Sequence, residues 1–532
     1  MSISNVQKAF ELMRSSKRTN FKYYCLFLIN TFVIYFFEVK NGIICSWDLQ
    51  FHLNRIEELS QSIYSGHLLS SNGSFAFCQI GLLVNKFYPY LFLYPFALLR
   101  GLINPVLAYN ICLISITILS FIISYRAITY VSRSSLSGFF FSIIYNNSGY
   151  ILLQITQRGD IAEYIALALL PLLLEGFIGL IDNDNSLKWL WLPIIFILLT
   201  YDHLLSTILF MLFMIIMALF YWHEFRSKLI KLIISMGIVI VATLPVSLQI
   251  ILTTHQNRII TPIVPDTLQN EALKPSDLFL NSLNNNVPGP LSEVNVGIVV
   301  LLCVIFSIWT LKQSSKLGRQ LGILGVVFLF LSTNLFPWFI FQHTIMHVLQ
   351  FPWRFLGIAT FCIAYAISVA LQNVRGRNIA MIFFILINMV TFNYMHTFCH
   401  RNNQVIDYHS VKQYNNYATE AAYTDYMPYQ TLHGINKATN FRKASDIQRH
   451  IALINGKRIR LSNRQIHPEY DRISYRLTNL IPNKKNQVTL PLLNYGKNYS
   501  KDGIKVQQSS KGITTIIFVP SQPQQHITIY LR

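Results

Sequence analysis

Apolar residues dominate the chain in long blocks from residue 22 to about residue 395, with short polar stretches between them. A membrane-spanning helix needs about 20 such residues. The pattern predicts eleven spans, at 22–40, 105–125, 135–153, 161–181, 187–200, 204–222, 229–252, 295–311, 320–340, 353–372 and 378–395. One further apolar stretch, FAFCQIGLLVNKFYPYLFLYPFALLRG at 75–101, is interrupted by Lys86, Pro89 and Pro95. From residue 396 the pattern changes. RISYRLTNL, NQVTLPLLNY, GITTIIFVP and QHITIYLR alternate with period two and are broken by NKK, YGKNYSKDG and PSQPQQ, which predicts strands joined by turns.

Loop charge decides how the spans are threaded. If 75–101 stays in the outer interface, the basic residues Lys8, Arg14, Arg126, Arg133, Arg226, Lys228, Lys312, Lys316, Arg375 and Arg377 all fall on the cytoplasmic side. If it crosses, every later cluster moves outside. The first threading predicts a cytoplasmic N-terminus at 1–21 and a transmembrane domain at 22–395 with interfacial helices at 46–101. An extracytoplasmic connector at 396–454 and an extracytoplasmic β-rich domain at 455–532 follow. The fold class is a polytopic α-helical membrane protein with a C-terminal, mainly-β domain.

Composition agrees. Only 12% of the 532 residues are charged and 52% are hydrophobic, against roughly 25% charged in a soluble domain. The net charge of +20 points to lipid headgroups or lipid phosphates, and no nucleic-acid motif accompanies it. Seven scattered Cys without CxxC spacing support neither a disulfide framework nor a zinc cluster. Residues Met1 to Asn20 are polar and basic, and the apolar run after them lacks a small-residue cleavage site, so no cleavable signal peptide is expected.

The polar motifs gather on the outer face of this threading. In SWDLQFHLNR, Asp48, His52 and Arg55 share one helical face, as a base and a phosphate-holding cation would, or as a merely wet interfacial helix would. In QRGDIAEY, Asp160 suits a helix cap, whereas Glu163, a turn inside an apolar helix, requires a partner such as Arg158. Asp202 and His203 occupy a tight turn in TYDHLLS, and Arg354 opens a span in QFPWRF, where an interfacial anchor is the plainer reading. His343 and His347 have metal-ligand spacing but no carboxylate beside them.

DLQFHLNRI, YPYLFLYP, RGDIAEY…LALLPLLL, TYDHLLS and QFPWRF together resemble the GT-C class of membrane glycosyltransferases. More narrowly they resemble bacterial YfhO-like proteins and the integral membrane proteins labelled 6-pyruvoyl-tetrahydropterin-synthase-related. The resemblance implies transfer of a sugar from a polyprenyl-phosphate donor to an extracytoplasmic envelope glycopolymer, a teichoic acid or polysaccharide, at the bacterial plasma membrane. It implies Asp48 as the first-loop acid, with Asp160 and Glu163 sharing the cavity, and Arg55, Arg158 and Arg354 as phosphate clamps. His52, Asp202 and His203 would complete the substrate site. A divalent metal is left open, because Trp47 and not a second acid precedes Asp48. The alternatives are a lipid-linked glycan transporter or flippase, and a non-catalytic partner in polymer assembly.

Overall fold

The computed structural model describes residues 20–36, 42–182, 187–256, 258–260, 266–285, 294–310, 314–373, 377–402, 404–407, 410–419, 423–432, 445–509 and 512–531. Two compact units interleave along the chain. One comprises residues 1–47, 110–241 and 264–405; the other comprises 48–109, 242–263 and 406–532.

The first unit is helical. Its elements include α1 (20–36), most of a long helix that begins at Pro105, the helices Ser135–Asn146 and Gly149–Leu153, and the buried helix Ile161–Ile181. For reference, α2 is Leu49–Tyr64, α3 Tyr94–Leu102, α4 Pro105–Ser132, α5 Ser135–Asn146, α6 Gly149–Leu153, α7 Ile161–Ile181, α8 Trp191–Thr200 and α9 Leu204–Phe220. Then come α10 Leu229–Gln256, α11 Gly297–Thr310, α12 Lys316–Leu331, α13 Phe355–Ala370 and α14 Arg377–Arg401. Among the described residues, four helices are long and apolar enough to cross a membrane: Pro105–Ser132, Ile161–Ile181, Trp222–His255 and Pro352–Ala370.

The eleven expected spans are not all confirmed by these helices, and three of the expected blocks are interrupted or short. The block 135–153 is broken at Asn147 and Ser148, where the Ser148 side chain caps α6. The break brings backbones together: Gly149 N–H donates to the Val296 carbonyl at 2.9 Å. A Cβ on Gly149 would meet the Gly297 nitrogen at 2.4 Å, and Gly297 has φ +78°, so both positions require glycine. The block 320–340 ends as a helix at Leu331, ahead of Pro337, and α8 has only 10 residues.

The second unit combines the outer-loop segment with the C-terminal strands. In 75–101 the longest helix is α3, with 9 residues, roughly half of a bilayer's hydrocarbon thickness. No element there is long enough to cross. The strands are β1 Ile451–Ile454, β2 Lys457–Arg460, β3 Ile466–Glu469, β4 Arg472–Leu477, β5 Asn486–Leu493, β6 Lys505–Gln508, β7 Ile513–Phe518 and β8 Gln525–Tyr530. They form a five-stranded sheet ordered β2-β1-β5-β7-β6 and a three-stranded sheet ordered β8-β4-β3. Ile473, Tyr475, Val488, Ile516, Ile527 and Ile529 from the two sheets share one core, so the sheets form a sandwich.

The sandwich is not a separate appendage. Ala76, Phe77, Ile80, Leu82 and Val84 from the outer loop pack in one core with Met427, Leu493, Tyr495 and Ile513. Leu493 N–H donates to the Ile80 carbonyl at 2.8 Å, and Asn72 N–H to Asp471 Oδ1 at 2.7 Å.

Candidate functional site

Within the helical unit the QRGDIAEY motif builds a closed ion cluster. Helix α6 widens into a π-turn at Gln154–Arg158 and stops at Gly159, whose φ of 66° is left-handed. Asp160 then caps α7, accepting from Glu163 N–H at 3.0 Å. Arg158 donates to Asp160 Oδ2 at 2.8 Å, Glu163 Oε2 at 2.6 Å and Gln154 Oε1 at 3.1 Å. Its guanidinium lies 4.9 Å from the Trp353 ring centre. The other Glu163 oxygen accepts from the Tyr150 hydroxyl and from Gln154 Nε2. Arg158, Asp160 and Glu163 are each under 5% exposed. A carboxylate so far from water persists only when paired in this way. Arg158, expected to clamp a phosphate, instead neutralises two acids of its own chain.

His203 and Arg354 border this cluster. His203 precedes α9 and shares a 2.7 Å hydrogen bond with Ser206 Oγ through Nδ1. Burial pushes its imidazole down to about 4; Asp160 and Glu163 oppose that shift, while Arg354 and Arg158 reinforce it. The ring is therefore neutral at pH 7. Asp202, beside it in the turn, is buried. Arg354 is 8% exposed and closes a short 3-10 turn behind Pro352 and Trp353. Its Nη2 donates to Gln350 Oε1 at 3.3 Å, and among the described residues its buried Nε has no hydrogen-bond partner. Nearby in sequence to the cluster, the Gln157 amide has neither its nitrogen nor its oxygen bonded.

Asp48, His52 and Arg55 belong to the other unit. Arg55 is 1% exposed and is committed to the YPY segment. Its Nε donates to Asn85 Oδ1 at 3.1 Å, and its Nη2 to the carbonyls of Tyr88 and Pro89. The guanidinium also covers the Tyr88 ring at 4.0 Å. These contacts tie α2 to the YPY segment. His52 is buried edge-on to Tyr88 and Phe51.

Asp48 differs from both. It occupies the position before α2 without capping it, and it is half-buried. A second acid feels its charge: the Asp425 carboxyl is raised from its ordinary value, first by burial and then by the charge of Asp48. Burial, Asp48 and Asp425 together raise the Tyr423 hydroxyl as well. The motif reading missed Asp425, whose setting in YTDYMPY carries no metal or cap signature. Among the described residues no three His, Cys, Asp or Glu side chains gather as a metal-ion set.

Glu58 was also missed. It is 1% exposed and accepts from the Ser71 hydroxyl and from the N–H groups of Ser74, Phe75 and Ala76, at 3.1, 3.1 and 2.6 Å for the last three. Asn54 Oδ1 accepts from Phe77 N–H at 2.9 Å. These bonds hold a left-handed turn in which Phe77, Cys78 and Gln79 have φ of 51°, 56° and 55°. Each such non-glycine residue costs roughly 1–2 kcal/mol. Burial pushes Glu58 up to about 7 against the pull of its donors.

No family model matches the chain, so the likeness to YfhO-like proteins rests on the motifs alone. No curated protein matches it in sequence. Among solved structures, ArnT from Cupriavidus metallidurans in the apo state is similar over 68% of this chain, with 12% identity and a TM-score of 0.43. The chain spans 62% of that structure's length, less than two thirds.

Proposed function

We propose that the protein is a membrane glycosyltransferase, with its N-terminus in the cytoplasm and its C-terminal sandwich outside the plasma membrane. It takes a sugar from a polyprenyl-phosphate donor and passes it to a hydroxyl of an envelope glycopolymer. The carrying observation is Asp48: a half-buried carboxylate at the start of α2 that does not cap it, whose charge adds to burial in raising the proton affinity of Asp425. Such a pair suits general-base work. The Asp48 carboxylate accepts the proton of the acceptor hydroxyl as that oxygen bonds to the anomeric carbon. The bond from that carbon to the phosphate oxygen breaks, and polyprenyl phosphate leaves.

The test uses a strain lacking the protein, re-expressing wild type or Asp48→Asn at matched membrane levels. One envelope sugar should disappear with the protein, return with wild type and stay absent with D48N. Equal restoration by both would remove Asp48 as the base and bring forward an assembly partner or a transporter.

A further inference from the structure

The outward face of the three-stranded sheet carries a pattern that solvation alone does not require. Ile473, Tyr475, Leu477, Ile527 and Ile529 point into the core and are fully buried. With a period of two, Arg472, Ser474 and Arg476 therefore share the opposite face with His526, Thr528 and Tyr530 of β8 and with His467 of β3. The register fixes the rows. Arg476 lies opposite His526, Ser474 lies between His467 and Thr528, and Arg472 lies between Glu469 and Tyr530.

The middle row is short and flat, with Ser474 Oγ and Thr528 Oγ1 bonded at 2.8 Å. Long cationic side chains stand at either end, four residues apart on β4, or about 13 Å, with Arg472 donating to the neighbouring Glu469 carboxylate and Arg476 at the other end. One end is flanked by an aromatic pair: Tyr499 stacks on Tyr530 at 5.1 Å and remains 40% exposed. Mutual backbone hydrogen bonds of 3.2 and 2.8 Å between these two residues fix the pair. Lys501 adds a cation 4.6 Å from the Tyr530 ring.

We propose that this trough binds an anionic polysaccharide. Guanidinium groups recognise its acidic substituents, the hydroxyl and imidazole row its sugar hydroxyls, and Tyr499 the apolar face of a sugar ring. Charge complementarity selects the occupant: residues 445–531 carry thirteen Lys and Arg against four Asp and Glu. As an acceptor platform the trough rests on the transferase reading. Its binding can be measured without any transfer.

The experiment uses the full-length protein in detergent micelles, with polygalacturonate as probe and dextran and polyphosphate as controls. Wild type should bind polygalacturonate and not dextran. Arg472→Gln with Arg476→Gln should weaken binding tenfold or more, and Tyr499→Ala several-fold, with unfolding midpoints unchanged. The proposal is overturned by polygalacturonate binding that neither variant weakens, or by dextran binding equally well. It is also overturned if polyphosphate binds as tightly while Y499A has no effect, since that describes a diffuse basic surface. D48N should bind polygalacturonate as wild type does, so failure of the transferase reading leaves this result standing, and the reverse.

Discussion

In the helical unit, Asp160 and Glu163 meet Arg158 at 2.8 and 2.6 Å; in the other unit, the charge of Asp48 acts on a second acid, Asp425. Asp160 and Asp48, one in each set of acids, each stand at the start of a helix. Opposite charge cancels the first, and the surrounding Tyr150 and Gln154 satisfy what remains, so the group is rigid and chemically quiet. Like charge leaves the second with heightened proton affinity, the property a base requires. The motif with more acids is thus the fully paired one, and the motif with a single visible acid is the candidate we propose for chemistry.

The sharpest way to break this comparison is Arg158→Gln. It strands two buried carboxylates and should destabilise the helical unit by about 3–5 kcal/mol. Fluorescence-detected gel filtration of the membrane extract should show little folded protein. A well-folded R158Q would mean the cluster is not structural. Asp48→Asn should behave oppositely. Sugar transfer should fall at least ~10²-fold, the usual share of a general base, while the unfolding midpoint stays near that of wild type.

Glu58 gives a pH-dependent contrast within the outer unit. Its carboxyl rises from 4.5 to about 7 on folding, so the folded chain holds the proton more tightly than the unfolded one. The stability it contributes is full below pH 4.5 and is lost as pH rises through about 7, a change of about 3 kcal/mol. Denaturation of wild type and Glu58→Gln at pH 4.5, 6 and 7.5 should show this slope in wild type and a flatter one in the variant. Parallel slopes would place the burden elsewhere. The smallest effect concerns Asp425. Removing the Asp48 charge in D48N should return part of its raised proton affinity, seen as carbodiimide labelling of Asp425 that fades at lower pH than in wild type.

The legibility of these features follows sequence distance. Arg158, Asp160 and Glu163 lie within six residues, so their capping and pairing could be read from spacing and from the cost of an acid in an apolar helix. Asp48 and Asp425 are brought together only by the fold, and no local pattern marks Asp425. Glu58 was hidden for another reason: its partners are mostly backbone N–H groups, aimed by a left-handed turn that contains no glycine. The break at Ser148 inside the expected span 135–153 was hidden because a hydropathy window averages across it, whereas the close approach of Gly149 and Gly297 depends on atoms from a distant helix.

By itself the sequence determined that apolar helices fill the first three quarters of the chain, that residues 75–101 form no continuous span, and that alternating strands follow. Each of these is a periodicity that backbone hydrogen bonding and the exclusion of apolar side chains from water enforce locally. Only the tertiary structure decided which arginines are engaged, where Asp48 finds its second acid, and that the sandwich shares a core with the outer loop. Pairing of charges and burial depend on distances between residues far apart in the chain, and those distances exist only once the chain has packed.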